Sequence, residues 1–168
     1  MKTRQLSLLT ALLGAAVFLA SMIPHSVFAE EPIAGTWKLI SINLVDTETK
    51  EHKAIFGEHP TGMTVFTPQG RIVTLWTADG RKGGQTEADG ARNFKTMFAI
   101  AGTYRIEGNK YVLKLEVAWN PDVVGSEMTR EFKIDGNRLS IITAPAPDPR
   151  LGPSRMSQTI SVWERIEQ

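Results

Sequence analysis

Two short segments at opposite ends of this chain constrain its fold more than anything between them. Gly35-Thr36-Trp37-Lys38-Leu39 opens the first β-rich run, and Val162-Trp163-Glu164-Arg165 closes the last. A Gly-x-Trp at the start of a first strand and an Arg near the end of a final strand are what a small antiparallel β-barrel uses to close. The two strands lie side by side, and the guanidinium stacks on the indole face. The pattern therefore predicts a closed barrel with Gly35, Trp37 and Arg165 at its sealed end.

Residues 1–29 read as a secretory signal peptide. Lys2 and Arg4 precede an apolar stretch from Leu6 to Ile23, and Val27-Phe28-Ala29 sets compact residues at the expected cut after Ala29. The competing reading is an uncleaved anchor, because the stretch approaches spanning length. The expected address is periplasmic or secreted, with no membrane contact after cleavage. The chain contains no Cys, which excludes a lipoprotein anchor, a disulfide and a cysteine nucleophile. Loss of Lys2 and Arg4 takes the formal charge from +1 to −1. Such a balance gives no electrostatic case for nucleic acid or an anionic membrane. Residues 30–168 suit one domain with a substantial core.

The remaining sequence alternates in short runs separated by turn residues, the all-β pattern. Trp37 to Leu44 is the first predicted strand, and a weak one runs near Lys53 to Phe56. Three hairpins follow, Gly62–Thr67/Arg71–Thr77, Gly102–Ile106/Tyr111–Trp119 and Met128–Ile134/Arg138–Thr143, with Gly or Asn in each turn. Gln158 to Ile166 is the last. Eight or nine strands suit an up-and-down barrel holding one small ligand. Thr86 to Ala101 carries apolar residues at helical spacing and predicts a short helix. The Pro-rich segment Ala144 to Pro153 predicts a stiff loop near the mouth, not a strand.

The ordered combination of Gly-Thr-Trp-Lys-Leu, Pro60-Thr61-Gly62-Met63, Gly102-Thr103-Tyr104-Arg105-Ile106, Val117-Ala118-Trp119-Asn120-Pro121 with Gly125 and Arg130, Asp135-Gly136-Asn137-Arg138-Leu139 and the final Val-Trp-Glu-Arg resembles the bacterial and fungal lipocalin-like domain family. The likeness spans Ile33 to Arg165 and implies an eight-stranded, calycin-type barrel. It implies little chemistry, although loosely related barrels act as cyclases. Many members resemble Val-x-His-His-Val-Glu on the strand before the Trp-x-Pro segment. Leu113, Lys114, Leu115 and Glu116 stand there instead, so a role resting on a His pair does not carry over.

Arg130 is the anomaly on its strand, a cation sharing a face with Met128, Phe132 and Ile134. An inward Arg has to be paired or bind something. As a pocket residue it would hold a ligand carboxylate or enolate; as a structural one it would pair with an internal acid or snorkel to the rim. Tyr111, Leu113, Leu115, Val117 and Trp119 alternate onto one face, with Val112, Lys114, Glu116 and Ala118 opposite. Trp76 and Trp119 fall at strand ends, where a mouth lies, and Tyr104 is placed to donate its hydroxyl inward. Each of these has a packing reading beside the functional one. His52 and His59 lack the third ligand a zinc site needs. Gly80-Arg81-Lys82-Gly83-Gly84 lacks the context of a phosphate loop.

These residues support three functions. The first is a cofactor-free binding barrel for a small hydrophobic or amphipathic molecule, lined by Arg130, Trp76, Trp119, Tyr104, Leu113, Leu115 and Phe132. The second is a cofactor-independent cyclase or isomerase, needing Tyr104 or Glu116 near Arg130. The third is a filled barrel with a structural or envelope role.

Overall fold

The structure, a computed structural model, describes residues 32–152 and 154–167. The predicted leader lies outside them. The strands are β1 (Gly35–Asp46), β2 (His52–Ala54), β3 (Thr61–Phe66), β4 (Arg71–Thr77), β5 (Met97–Glu107), β6 (Lys110–Ala118), β7 (Glu127–Asp135), β8 (Arg138–Thr143), β9 (Ala146–Pro147) and β10 (Met156–Glu167). An α-helix, α1 (Glu87–Lys95), lies between β4 and β5, and a single 3-10 turn at Pro121–Val123 joins β6 to β7. Neighbours pair antiparallel in the order β1-β3-β4-β5-β6-β7-β8-β10, and β10 returns to β1. The result is a closed eight-stranded antiparallel barrel, with β2 and β9 as short additions at its edge.

Closure follows the end-to-end pattern in the sequence. β1 and β10 pair from Thr36↔Glu167 to Asp46↔Ser157, with irregularities near Trp37 and Ser41. The Arg165 guanidinium sits 4.0 Å from the centre of the fully buried Trp37 ring. Its two terminal nitrogens donate to Ala34 O and Pro32 O, each at 2.6 Å. Trp37 Nε1 donates to Ile33 O at 2.9 Å. One cation thus seals the barrel floor and satisfies carbonyls of the chain entering β1.

The floor is solid. Phe66 meets Tyr104 and Tyr111 edge-to-face at 5.2 and 5.4 Å. Leu39, Ile72, Leu115 and Leu139 are almost fully buried around them. Such side chains form a contiguous core packed at near-crystalline density.

Four local expectations change. The helix ends at Lys95, and Met97 to Ala101 belong to β5. The helical spacing of Ala88, Ala91, Phe94, Met97, Phe98 and Ala101 runs past the helix end: Phe98 and Ile100, two apart, pack inward from an alternating strand, whereas α1 buries no residue. Thr86 caps α1 reciprocally with Asp89, a signal that places its start correctly. Next, the face of Tyr111 and Leu113 does not continue to Val117. A bulge opposite Ala101 and Gly102 takes up one extra residue, so Gly102 pairs Leu115 while Ala101 pairs Val117. Val117 is consequently 62% exposed, and Ala118 packs against the core. Gly102 makes the bulge possible, since a Cβ there would lie 2.0 Å from Lys114 O. The Pro-rich stretch contains the two-residue strand β9, paired with Met156 and Ser157. Proline is tolerated at such an edge because no ladder donor is required. Finally, the weak second strand occupies His52–Ala54 and not Lys53 to Phe56, which leaves Ile55 and Phe56 free to turn onto the barrel interior.

Candidate functional site

Above the packed floor the barrel is hollow. A cavity of about 250 Å³ is lined by residues from β1, the chain after β2, β4 to β8, and β10. It lies between the empty site that takes up benzene, ~150 Å³, and drug-sized pockets, which begin near ~300 Å³. The segment carrying α1 leaves after Thr77 and returns at Met97, and the Pro-rich segment leaves after Thr143. Both therefore frame the end of the barrel that carries Trp76, Phe98 and Thr143.

One wall is aromatic. Trp76 on β4 stacks on Phe98 of β5, with ring centres 3.9 Å apart and planes within 7°. Phe56 meets Trp76 edge-on at 6.2 Å, and Trp163 tilts against it at 5.9 Å. Trp76 and Phe98 face each other because β4 and β5 pair them directly. The buried Trp76 Nε1–H has no acceptor among the described residues. Unmet donors of this kind are uncommon in folded interiors.

The other wall is polar in a single row. Tyr111 on β6 is the register partner of Arg130 on β7, and Arg130 is the partner of Thr143 on β8. Thr143 Oγ1 accepts the Thr159 backbone N–H at 2.8 Å, which leaves its hydroxyl hydrogen to donate. The Arg130 guanidinium donates to its neighbour Thr129 O at 2.9 Å and contacts Met128 Sδ at 3.3 Å. No carboxylate pairs with it among the described residues. Tyr111 is 4% exposed, and burial raises its phenol above the ordinary tyrosine range, with the Arg130 charge opposing weakly. The phenol consequently stays protonated and donates. In an eight-stranded barrel ordered as here, β8 lies across the lumen from β4. The donor row on β6, β7 and β8 therefore confronts the aromatic wall.

Of the seven residues expected to line a pocket, Arg130, Trp76 and Leu113 do so. Tyr104 and Leu115 belong to the floor, where Tyr104 Oη donates to Thr67 O at 2.9 Å. Trp119 stands behind the wall against Phe98, ring centres 4.5 Å apart, and Phe132 stands 6.4 Å from Tyr111. Glu116 is outside the barrel in an ion pair with Arg71 at 2.8 Å. Sequence reasoning missed Tyr111, Phe98, Phe56, Thr143 and Trp163 as wall residues. Alternation put Tyr111 on the right face, but only strand tilt decides the depth of each inward residue. His52 and His59 are exposed, and no group of three or more His, Asp or Glu among the described residues is placed to hold a metal. No helix among those residues is long and apolar enough to cross a membrane.

Comparison with curated proteins gives no match. The profile described as "Lipocalin-like domain" matches residues 34–166, from the residue before β1 almost to the end of β10. The chain belongs to the lipocalin-like domain family.

Proposed function

We propose that this protein is an exported binding barrel that holds one small, partly apolar molecule in its cavity. The observation that carries the reading is Arg130, a part-buried cation on the cavity wall with no acidic partner among the described residues. A part-buried cation without a counter-charge gives up some of its hydration, and a ligand acceptor offsets that loss. The hollow upper barrel argues against a wholly filled one. The described lining residues include no Asp, Glu or His, and Tyr111 is held in its protonated form. A protein base for cyclase or isomerase chemistry is thus missing from the wall, which favours binding over turnover. Export rests on the leader-like residues 1–29.

The test is native mass spectrometry of protein purified from the compartment to which its own leader sends it, beside an Arg130→Ala variant. A discrete extra mass that disappears in the variant is the expected result. A clean apo mass from both, with no small molecule released on denaturation, counts against the binding barrel. The polypeptide mass in the same spectrum checks the leader: a mature chain beginning at Glu30 is expected, and an intact Met1 start would refute cleavage.

A further inference from the structure

Resting on that binding reading, the donor–acceptor balance of the cavity narrows the ligand. The polar lining groups are Arg130, Tyr111, Trp76 and the hydroxyls of Thr74, Thr143, Thr159 and Ser161. Several are already engaged. Thr74 bonds Thr64 at 2.7 Å. Ser161 Oγ accepts Trp163 Nε1–H at 2.9 Å and lies 3.5 Å from Ile141 O. Arg130 gives one N–H to Thr129 O and another to Met128 Sδ and keeps the rest of its fork. That fork, the Tyr111 phenol and the Thr143 hydroxyl line the cavity as donors in one register row, with the Thr159 hydroxyl beside Thr143. Among the described residues the wall offers no carboxylate and no side-chain amide to receive a hydrogen bond. A ligand amine or ammonium would find no strong acceptor and would meet the Arg130 charge. Opposite the row, Trp76, Phe98 and Phe56 present aromatic surface to the body of the ligand.

We infer that the occupant is a planar aromatic oxyanion, of the aryl carboxylate class. Its ring lies against Trp76, and its charged head takes donors from Arg130, Tyr111 and Thr143. A carboxylate is acceptor-only and has about four lone-pair sites, so it can satisfy a three-donor row without requiring a donor partner. Arg130 supplies the planar fork that matches it. The Trp76 indole N–H supplies a further donor at the aromatic edge, open to a ring substituent such as a hydroxyl or carbonyl oxygen.

The test compares three probes of one shape: 2-naphthoate, 2-naphthylmethanol and 2-naphthylmethylamine, by calorimetry and quenching of tryptophan fluorescence. The carboxylate is expected to bind at least about tenfold more tightly than the alcohol, with the amine weakest, because charge-assisted pairs outweigh neutral ones. Arg130→Met should weaken the carboxylate far more than the alcohol, bringing the two to similar affinities. Arg130→Lys, which keeps the charge but loses the fork, should retain the order with a smaller ratio; it also serves if Arg130→Met does not fold. Equal binding of carboxylate and alcohol by the native protein overturns the oxyanion inference but leaves a binding barrel. A preference that survives intact in Arg130→Met overturns the role of Arg130. Failure of all three probes at millimolar concentration overturns both the inference and the reading beneath it.

Discussion

Replacing Arg165 by Ala should open the sealed end of the barrel without touching the cavity. Three interactions are lost together: the bond to Ala34 O, the bond to Pro32 O and the stack over Trp37 at 4.0 Å. The Ala34 bond is at a residue only 4% exposed, so its carbonyl is left without a donor in a place water reaches poorly. A hydrogen bond to a charged group contributes about 1.5–3 kcal/mol, and the stack adds about 0.5–1 kcal/mol. Pro32 is exposed, so water replaces the second bond at small cost. The expected destabilisation is about 2–4 kcal/mol, or roughly 10 °C in Tm for a domain of this size. Urea unfolding should show a lower midpoint with an unchanged slope, because the surface exposed on unfolding is the same. Arg165→Lys should recover only part of the loss, since one ammonium cannot span two carbonyls and also lie flat on the ring. Lys38→Ala, an exposed neighbour on β1, is the control and should stay within about 0.5 kcal/mol of the parent. A loss below about 0.5 kcal/mol for Arg165→Ala would refute the reasoning, as would a loss fully recovered by Lys.

Gly102→Ala should destabilise the barrel by more than about 2 kcal/mol in the same assay, because its Cβ would meet Lys114 O at 2.0 Å and the bulge has to move. Tyr111→Phe should weaken binding of 2-naphthoate several-fold while Tyr104→Phe leaves it unchanged, since only Tyr111 lines the cavity; titration calorimetry gives both values. Asp46 and Asp148 both ionise below the ordinary 3.8, Asp46 chiefly through the Thr49 and Glu48 backbone N–H groups and Arg155, Asp148 chiefly through Arg150 and Ser157. Folded values below unfolded ones mean that the unfolded chain binds more protons as pH falls through 3.8. Their contribution is therefore complete above about pH 5 and lost progressively below pH 4. Urea midpoints should fall between pH 5 and pH 3, and the Asp148→Asn variant should show a shallower fall; an equal fall in both would count against Asp148.

The barrel was legible because its evidence is repetitive. Alternation, Gly- and Asn-bearing turns and the Trp37–Arg165 pair each point to closure, and errors in one do not spread to the others. Arg130 was legible as the single cation on an apolar face. Depth was not legible. Tyr104 and Tyr111 are both inward on adjacent strands, yet one plugs the floor and the other lines the cavity, because the strands run tilted and displaced. Nor could the pattern show that one extra residue beyond Leu115 would turn Val117 outward, since a bulge reverses every later side chain. Met97 to Ala101 read as helix because Phe94, Phe98 and Ala101 fall at helical spacing, while the alternation of Phe98 with Ile100 is too short a run to outweigh it.

The pairing of β1 with β10 also orders events in time. Every other ladder of the barrel wall joins strands nearer in sequence, and the three tight hairpins among them, β3–β4, β5–β6 and β7–β8, belong to a class that forms within about 10 μs. The last seam joins Thr36 to Glu167, and it carries the clasp that roofs Trp37. It cannot form until the final strand has been synthesised. Until then β1 is a first stave waiting beside a gap, the chain has no finished interior, and the donor row on β6 to β8 faces open water. Closing this most non-local contact should set the folding rate, and any truncation that removes Arg165 removes the latch together with the last stave.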